Sequence, residues 1–398
     1  MRRFLVLIVG LVLVSVAIGW RPVVTPKLVK FPTALNQTTH YQGTFVLSVD
    51  QSTGLPLAKP LSLPLTIDRH VQSVSSGAHV AVLRETITAH PGPQTVTQTN
   101  VYALNRRTMA NVANSGAFTI SPTLAVNRTG TFYLTLPMGL ASSGAHYRLW
   151  KPETATSYQV SSTALPATTI GGAHVVGFVG QLPPTPVDPP EQAALAAQGF
   201  PADLTSAQFG AVLRSAGINV ASATSALAKV LTATEMATVG ATLSRPVPLE
   251  YLSYGQGNLA VEPKSGVIVS ASGVVDAMAV RPVLTGLAPA LAVLEAHSSD
   301  PAVAALLGPL SRLAAAPAQT VYEMRYDQTP SSVAAQAAYA RSQAHKIELA
   351  TVTMPLGVGA VGVVIAAAGL ILVLRRRTTP SPVHQLPLVD EYPVRRVA

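Results

Sequence analysis

Residues able to do chemistry are few in this chain and thinly spread. Nine histidines stand at 40, 70, 79, 90, 146, 174, 297, 345 and 384, and none forms the His-Glu-x-x-His spacing of a zinc protease. No Asp-rich loop suggests calcium, and no cysteine is present, so thiolate metal sites and disulfides are both excluded. The Gly-x-Ser-x-Gly elbow of a hydrolase and a Walker loop are absent. Of 18 acidic residues, two (Asp390 and Glu391) lie in the C-terminal tail, and the other sixteen are mostly isolated, often beside proline or in turns. A glycosidase needs two carboxylates converging on one bond, and no such pair stands out. The expectation is a non-enzymatic protein without metal or cofactor.

What remains is recognition chemistry. Tyr147 and Trp150 are candidates for the wall of an apolar cavity, against the simpler reading of core packing on a strand or turn. Arg106 and Arg107, beside a turn, are candidates for contacting a phosphate headgroup, against that of a solvated turn. Asn36-Gln37-Thr38 and Asn127-Arg128-Thr129 match a glycosylation triplet that arises often by chance.

The elements that must position these residues follow from pattern. Charged residues make up 11% and hydrophobic ones 48%, so the surface is covered by Thr, Ser, Gly and Pro rather than charge, which suits strands and turns. Tyr41, Gly43, Phe45, Leu47 and Val49 alternate with polar residues, the period of a half-buried strand. Similar runs follow at 80–87, 96–104, 132–136, 158–161 and 174–179, which predicts an antiparallel sheet that curls or closes to hide its edges. Residues 183–190 read Pro-Pro-Thr-Pro-Val-Asp-Pro-Pro, expected to be a stiff connector unable to continue a central strand. After it, Thr205 with Gln208 and Thr232 with Glu235 have capping-box spacing and predict two short amphipathic helices, the first burying Phe209, Val212, Leu213 and Ala216. Strands resume at 249–254 and 267–274 around the turn Glu262-Pro263-Lys264-Ser265-Gly266. A helix starts at Asp300-Pro301, a last strand covers 320–326, and Thr329-Pro330 caps an alanine-rich helix.

Both ends are apolar. Phe4 to Trp20 carries no charge and follows Arg2 and Arg3; it reads as a retained membrane anchor, with a cleaved signal peptide as the competing reading. Met354 to Leu374 is uncharged and stopped by Arg375, Arg376 and Arg377; at 1.5 Å per residue it spans about 30 Å, the hydrocarbon thickness. Gly362 and Ala366 form a small-xxx-small pair able to bring the two helices together. The net charge of +9 divides into +2 at Arg2 and Arg3, +3 in the tail and +4 between, so most of the excess flanks the apolar runs and argues for orientation rather than nucleic acid. The positive-inside rule then puts both termini in the cytoplasm and the intervening ectodomain on the outer, periplasmic side of the plasma membrane.

Several local motifs, in order, resemble one family. They are Pro26-Lys27-Leu28, the run Val101-Tyr102-Ala103-Leu104-Asn105-Arg106-Arg107-Thr108, Leu136-Pro137-Met138-Gly139 leading to Tyr147-Arg148-Leu149-Trp150, then Val261-Glu262-Pro263-Lys264-Ser265-Gly266-Val267-Ile268-Val269, and the closing helix and arginines. Between two apolar ends this order resembles the actinobacterial porin PorA family, to which the LmcA-like lipoglycan mannan-control envelope proteins belong. The family tends to have aspartate where this chain has Asn105 and Glu262, and glycine where Met109 stands. The resemblance implies a mainly β fold with helical insertions, an elongated antiparallel β-barrel-like ectodomain enclosing lipid-binding pockets, and a role in lipoglycan or envelope-lipid handling.

The expected division is an anchor or signal at 1–21, a first β-rich part at 22–182, a connector with helical insert at 183–245, completing strands and helices at 246–350, a transmembrane helix at 351–374 and a basic cytoplasmic tail at 375–398. The expected function is binding or transfer of a membrane phospholipid or glycolipid. The runner-up is a non-enzymatic scaffold or regulator docking a membrane glycosyltransferase.

Overall fold

In the computed structural model, the structure describes residues 2–51, 53, 55–113, 128–140, 144–163 and 168–375. The basic tail beyond Arg375, and Asn127 of the second glycosylation-like triplet, lie outside them. The chain divides into two units, Met1–Val29 with Lys346–Ala398, and Lys30–His345.

In the first unit, the uncharged runs at both ends are helices, Arg2–Gly19 and Met354–Leu374. They pack on each other through small residues. A Cβ on Gly10 would fall 2.3 Å from the backbone nitrogen of Ala366, one on Gly362 2.8 Å from that of Val14, and one on Gly369 2.6 Å from that of Leu7. Backbones that close require glycine, the small-residue logic of membrane helix pairs. The Trp20 indole donates to the Ala350 carbonyl at 2.9 Å. The helical stretch ending at Leu374 is long and apolar enough to cross a membrane; Phe4–Gly19 reaches that length only together with Pro22–Leu28, from which it is bent by 52°.

The second unit is mainly β. Twelve strands are present among its described residues: β1 (Asn36–Val49), β2 (Pro56–Ser76), β3 (Val80–Pro91), β4 (Val96–Asn105), β5 (His146–Lys151), β6 (Thr156–Ser162), β7 (Thr168–Ile170), β8 (Ala173–Pro186), β9 (Asp203–Leu204), β10 (Val247–Val261), β11 (Ile268–Pro282) and β12 (Gln319–Gln328). Ten form one antiparallel half-barrel in the order β4-β3-β2-β1-β12-β11-β10-β8-β6-β5. The outer strands are linked through connectors: Val112 N–H donates to the Ala103 carbonyl of β4, Asn111 N–H to that of Thr131, and Phe132 N–H to that of Arg148 on β5. Both sheet edges thereby find partners.

Three expectations need correction. Pro56, Pro60 and Pro64 hide the 21-residue β2 from a pattern-based reading of the sequence. Those prolines fall before Leu65, where pairing with β3 begins, so this part of β2 has only β1 beside it and missing N–H donors cost nothing. The proline run at 183–186 continues β8, with Thr185 opposite Ser253 and Pro186 opposite Leu252, while β6 pairs only as far as Gly180. It too is a locally one-sided strand. Residues 132–136 are not a strand: Phe132 makes one isolated bridge to Leu149 and the chain then bends.

Four helices, not two, fill the insert: Pro189–Ala197, Ser206–Ser215, Val220–Leu227 and Ala233–Leu243. Both capping boxes form, Thr205 with Gln208 and Thr232 with Glu235. Leu195, Phe209 and Leu213 bury against Val247, Leu249, Tyr251, Met278 and Val280 of β10 and β11. Two more helices, Ala288–Ala296 and Pro301–Ala315, join this layer. The alanine-rich helix starts at Pro330 as expected and buries Ala337 and Ala340 against Ala173, Val175, Val267 and Val269.

Two of the family-like motifs clasp each other. In the turn after β10 the buried Glu262 carboxylate accepts from the backbone of Lys264 (3.1 Å) and Ser265 (2.7 Å) and from the Ser265 hydroxyl (2.6 Å). The turn then receives Leu136 N–H on the Gly266 carbonyl (3.0 Å), Gly139 N–H on Lys264 (3.2 Å) and Leu140 N–H on Pro263 (2.8 Å). Gly266 has φ +72, and a Cβ there would lie 2.0 Å from the Leu136 oxygen, so no other residue fits.

Candidate functional site

Strand parity sorts the half-barrel into two unlike faces. Along β1, β2, β3 and β12 the outward row holds Thr38, His40, Gln42, Thr44, Thr66, Asp68, Arg84, Arg325 and Asp327, nearly all exposed. The inward row holds Tyr41, Phe45, Leu63, Leu65, Ile67, Ile87, Tyr322, Met324 and Tyr326. Tyr41 meets Tyr326 edge-on at 5.6 Å and Phe45 stacks on Tyr322 at 5.6 Å. Phe45, Leu63, Ile87, Tyr322, Met324 and Tyr326 nevertheless keep accessible surface. Burial raises the Tyr322 and Tyr326 phenols far above their ordinary range, with the nearby Asp276 adding to it. These rings line the inner face of the curled sheet and keep accessible surface there.

Two charged centres interrupt this apolar row. The first crosses the curl: Lys151 on β5 reaches Asp276 on β11, with 2.9 Å to each oxygen, although β6, β8 and β10 separate those strands in the sheet. Glu153 lies 3.3 Å from the same ammonium. Burial alone would lower the Lys151 pKa, but Asp276 and Glu153 together hold it well above the ordinary lysine value. Glu153 is raised, burial outweighing Lys151. Glu191, at the start of the helix after β8, is pushed up to about 7 by burial and then by Glu153 and Asp188.

The second centre joins β2, β3, β4 and the connector entering β5. Arg69 donates to the fully buried Glu85 at 2.6 Å, and the other carboxylate oxygen accepts from Asn100 (3.1 Å) and the Tyr102 hydroxyl (3.4 Å). Tyr102 stacks on Tyr133 at 4.6 Å, and the Arg69 guanidinium lies over Tyr133 at 5.3 Å. Arg128 lies over Tyr102 at 5.1 Å and over Trp150 at 5.8 Å. Both tyrosine phenols are raised, first by burial and then by Glu85.

The residues singled out from sequence divide between these surroundings. Trp150 is buried under Arg128, while Tyr147, of opposite parity on β5, meets Phe132 edge-on at 5.8 Å and Phe178 at 5.8 Å. Arg106 directs its guanidinium to the carbonyls of Phe31 (2.9 Å) and Gly77 (2.8 Å), where it fastens the turn after β4. Arg107 is exposed on the same turn, its N–H received by the Asn105 side chain. Neither arginine meets Tyr147 or Trp150 in any described contact. Sequence reasoning missed Arg69, Glu85, Lys151 and Asp276, yet a signal existed: Leu65-x-Ile67-x-Arg69-x-Val71 and Leu83-x-Glu85-x-Ile87 place charges in the apolar register of a strand. Arg128 had no such signal. Among the described residues no group of three His, Asp or Glu is placed to hold a metal ion.

An antiparallel half-barrel with a polar outer face and an aromatic inner face, in a chain that also carries a helix long and apolar enough to cross a membrane, fits the envelope class to which its family match assigns it. The chain belongs to the family described as Porin PorA, whose model matches residues 4–371. No curated protein matches it.

Proposed function

We propose that this is a non-enzymatic, membrane-anchored envelope protein that holds or transfers a phospholipid or glycolipid inside its half-barrel, in support of lipoglycan or envelope biogenesis. The carrying observation is the contrast of faces: an apolar, aromatic inner row that keeps accessible surface, behind a polar outer row. Burying each methylene of an acyl chain contributes about 0.8 kcal/mol, enough to draw a lipid from a bilayer without a covalent step. The polar outer row favours an ectodomain in water over a lipid-facing pore wall, whose outward strand positions must be apolar. In this reading both terminal helices span the plasma membrane, packed through Gly10, Gly362 and Gly369, with both termini in the cytoplasm and the half-barrel outside.

Native mass spectrometry of the full chain released from detergent tests this. The expected result is a co-purified lipid mass that disappears in Phe45→Arg, which puts a charge into the inner row. A bare protein mass across several preparations would transfer the role to a scaffold that docks a membrane glycosyltransferase.

A further inference from the structure

Among the described residues, three cations enter the ectodomain interior or its wall, and two are neutralised there. Arg69 has Glu85, and Lys151 has Asp276 and Glu153. Arg128 is nine-tenths buried, at 9% exposure, and no carboxylate pairs with it among the described residues. Residues 114–127, which precede it, contain no Asp or Glu. Tyr102 and Trp150 attract the charge through their faces, but the five N–H groups of the guanidinium make no hydrogen bond among the described residues. Its surroundings register the deficit: burial lowers the Arg128 pKa, and only Tyr102 opposes it. A buried guanidinium in this state is poised to take an anion, and its planar fork matches two oxygens of a phosphate.

We propose that Arg128 is an anion-binding group that takes the phosphate oxygens of a lipid headgroup, with Tyr102 and Trp150 fixing the guanidinium. This rests on the lipid reading for the source of the phosphate, not for the anion site itself. The ion pair formed would supply the counter-charge that no described residue provides, in the aromatic wall where Glu85 already neutralises Arg69.

The test uses full-length protein in detergent and three probes: dihexanoyl phosphatidylglycerol, dihexanoylglycerol with the same chains and no phosphate, and inorganic phosphate. Calorimetric titration should show the phosphatidylglycerol binding at least tenfold tighter than the diacylglycerol. Arg128→Met should erase that preference, while Arg128→Lys, which keeps the charge and serves if the first variant does not fold, should retain only part of it. If neither lipid binds but inorganic phosphate does so in an Arg128-dependent way, the lipid reading fails and the anion site stands. If both lipids bind equally in the native protein, or the preference survives in either variant at full strength, the proposal for Arg128 is overturned and the lipid reading is untouched.

Discussion

Arg69, on β2, and Arg128, on the connector entering β5, approach the two members of one stacked pair, Tyr133 and Tyr102, in different company. Arg69 donates to a carboxylate with no exposure at all, and that carboxylate also receives Asn100 and Tyr102. Every charge in that cluster is matched, so it acts as a structural tie between β2, β3 and β4. Arg128 has rings and, among the described residues, no carboxylate. Identical side chains a few ångströms from the same aromatic pair thus have opposite prospects: the first is closed to any ligand, the second is incomplete without one. What decides is the counter-charge, not exposure or residue type.

Breaking the matched member should have the largest effect. Glu85→Ala strands the Arg69 guanidinium and removes the acceptor for Asn100 and Tyr102; loss of one partner of a buried pair costs about 3–5 kcal/mol. Arg128→Met, in contrast, removes only contacts to two ring faces, about 1–2 kcal/mol. Urea unfolding of both variants side by side checks the ordering. Equal losses would show that Arg128 has a structural counter-charge after all.

Strand parity makes much of this legible in the sequence alone. The alternation of Tyr41 to Val49, both capping boxes, the Glu262–Gly266 turn and the helix opening at Pro330 all follow local rules that tertiary context does not override. What failed was proline in strands. The rule that proline breaks a sheet assumes neighbours on both sides, and both Pro56–Pro64 and Pro183–Pro186 have one. The candidate site was half legible. Trp150 was named, but its cation comes from a connector with no periodicity, and the tie from Lys151 to Asp276 depends on curvature that brings together strands four places apart in the sheet. Arg106 and Arg107 stand beside a turn, open in sequence to a phosphate headgroup, and local sequence gives no sign that the Phe31 and Gly77 carbonyls occupy the first of them.

The Lys151 centre sharpens the comparison in a third way, because there the mismatch is of acid rather than base. Glu153 and Asp276 share one lysine, and Glu191 feels Glu153, Asp188 and Asp276 against that single cation. Glu191 titrates near 7 in the folded chain and near its ordinary value when unfolded, so the folded state binds the extra proton between those limits. Its contribution is therefore fully present below about pH 4.5 and is lost as pH rises through 7. The urea midpoint should be higher at pH 5.5 than at pH 8, and Glu191→Gln should flatten that difference by raising the midpoint at pH 8. An unchanged pH profile in the variant would remove Glu191 from the centre's proton balance.

The smallest effect is expected where counter-charge is present but water is too. Arg281 on β11 donates to Glu250 on β10 at 2.6 Å, as close as Arg69 to Glu85, yet their side chains are 53% and 30% exposed. Geometry is the same and the dielectric is not. An exposed pair contributes about 0.2–1 kcal/mol and is screened by salt, so Arg281→Ala should shift the urea midpoint slightly at low ionic strength and negligibly at 1 M sodium chloride, where the Debye length is about 3 Å. Glu85→Ala should keep nearly its whole cost at that salt, because the carboxylate it removes is sealed from solvent ions. A cost for Arg281→Ala as large and as salt-resistant as that of Glu85→Ala would mean that distance, and not burial, sets the value of an ion pair in this sheet.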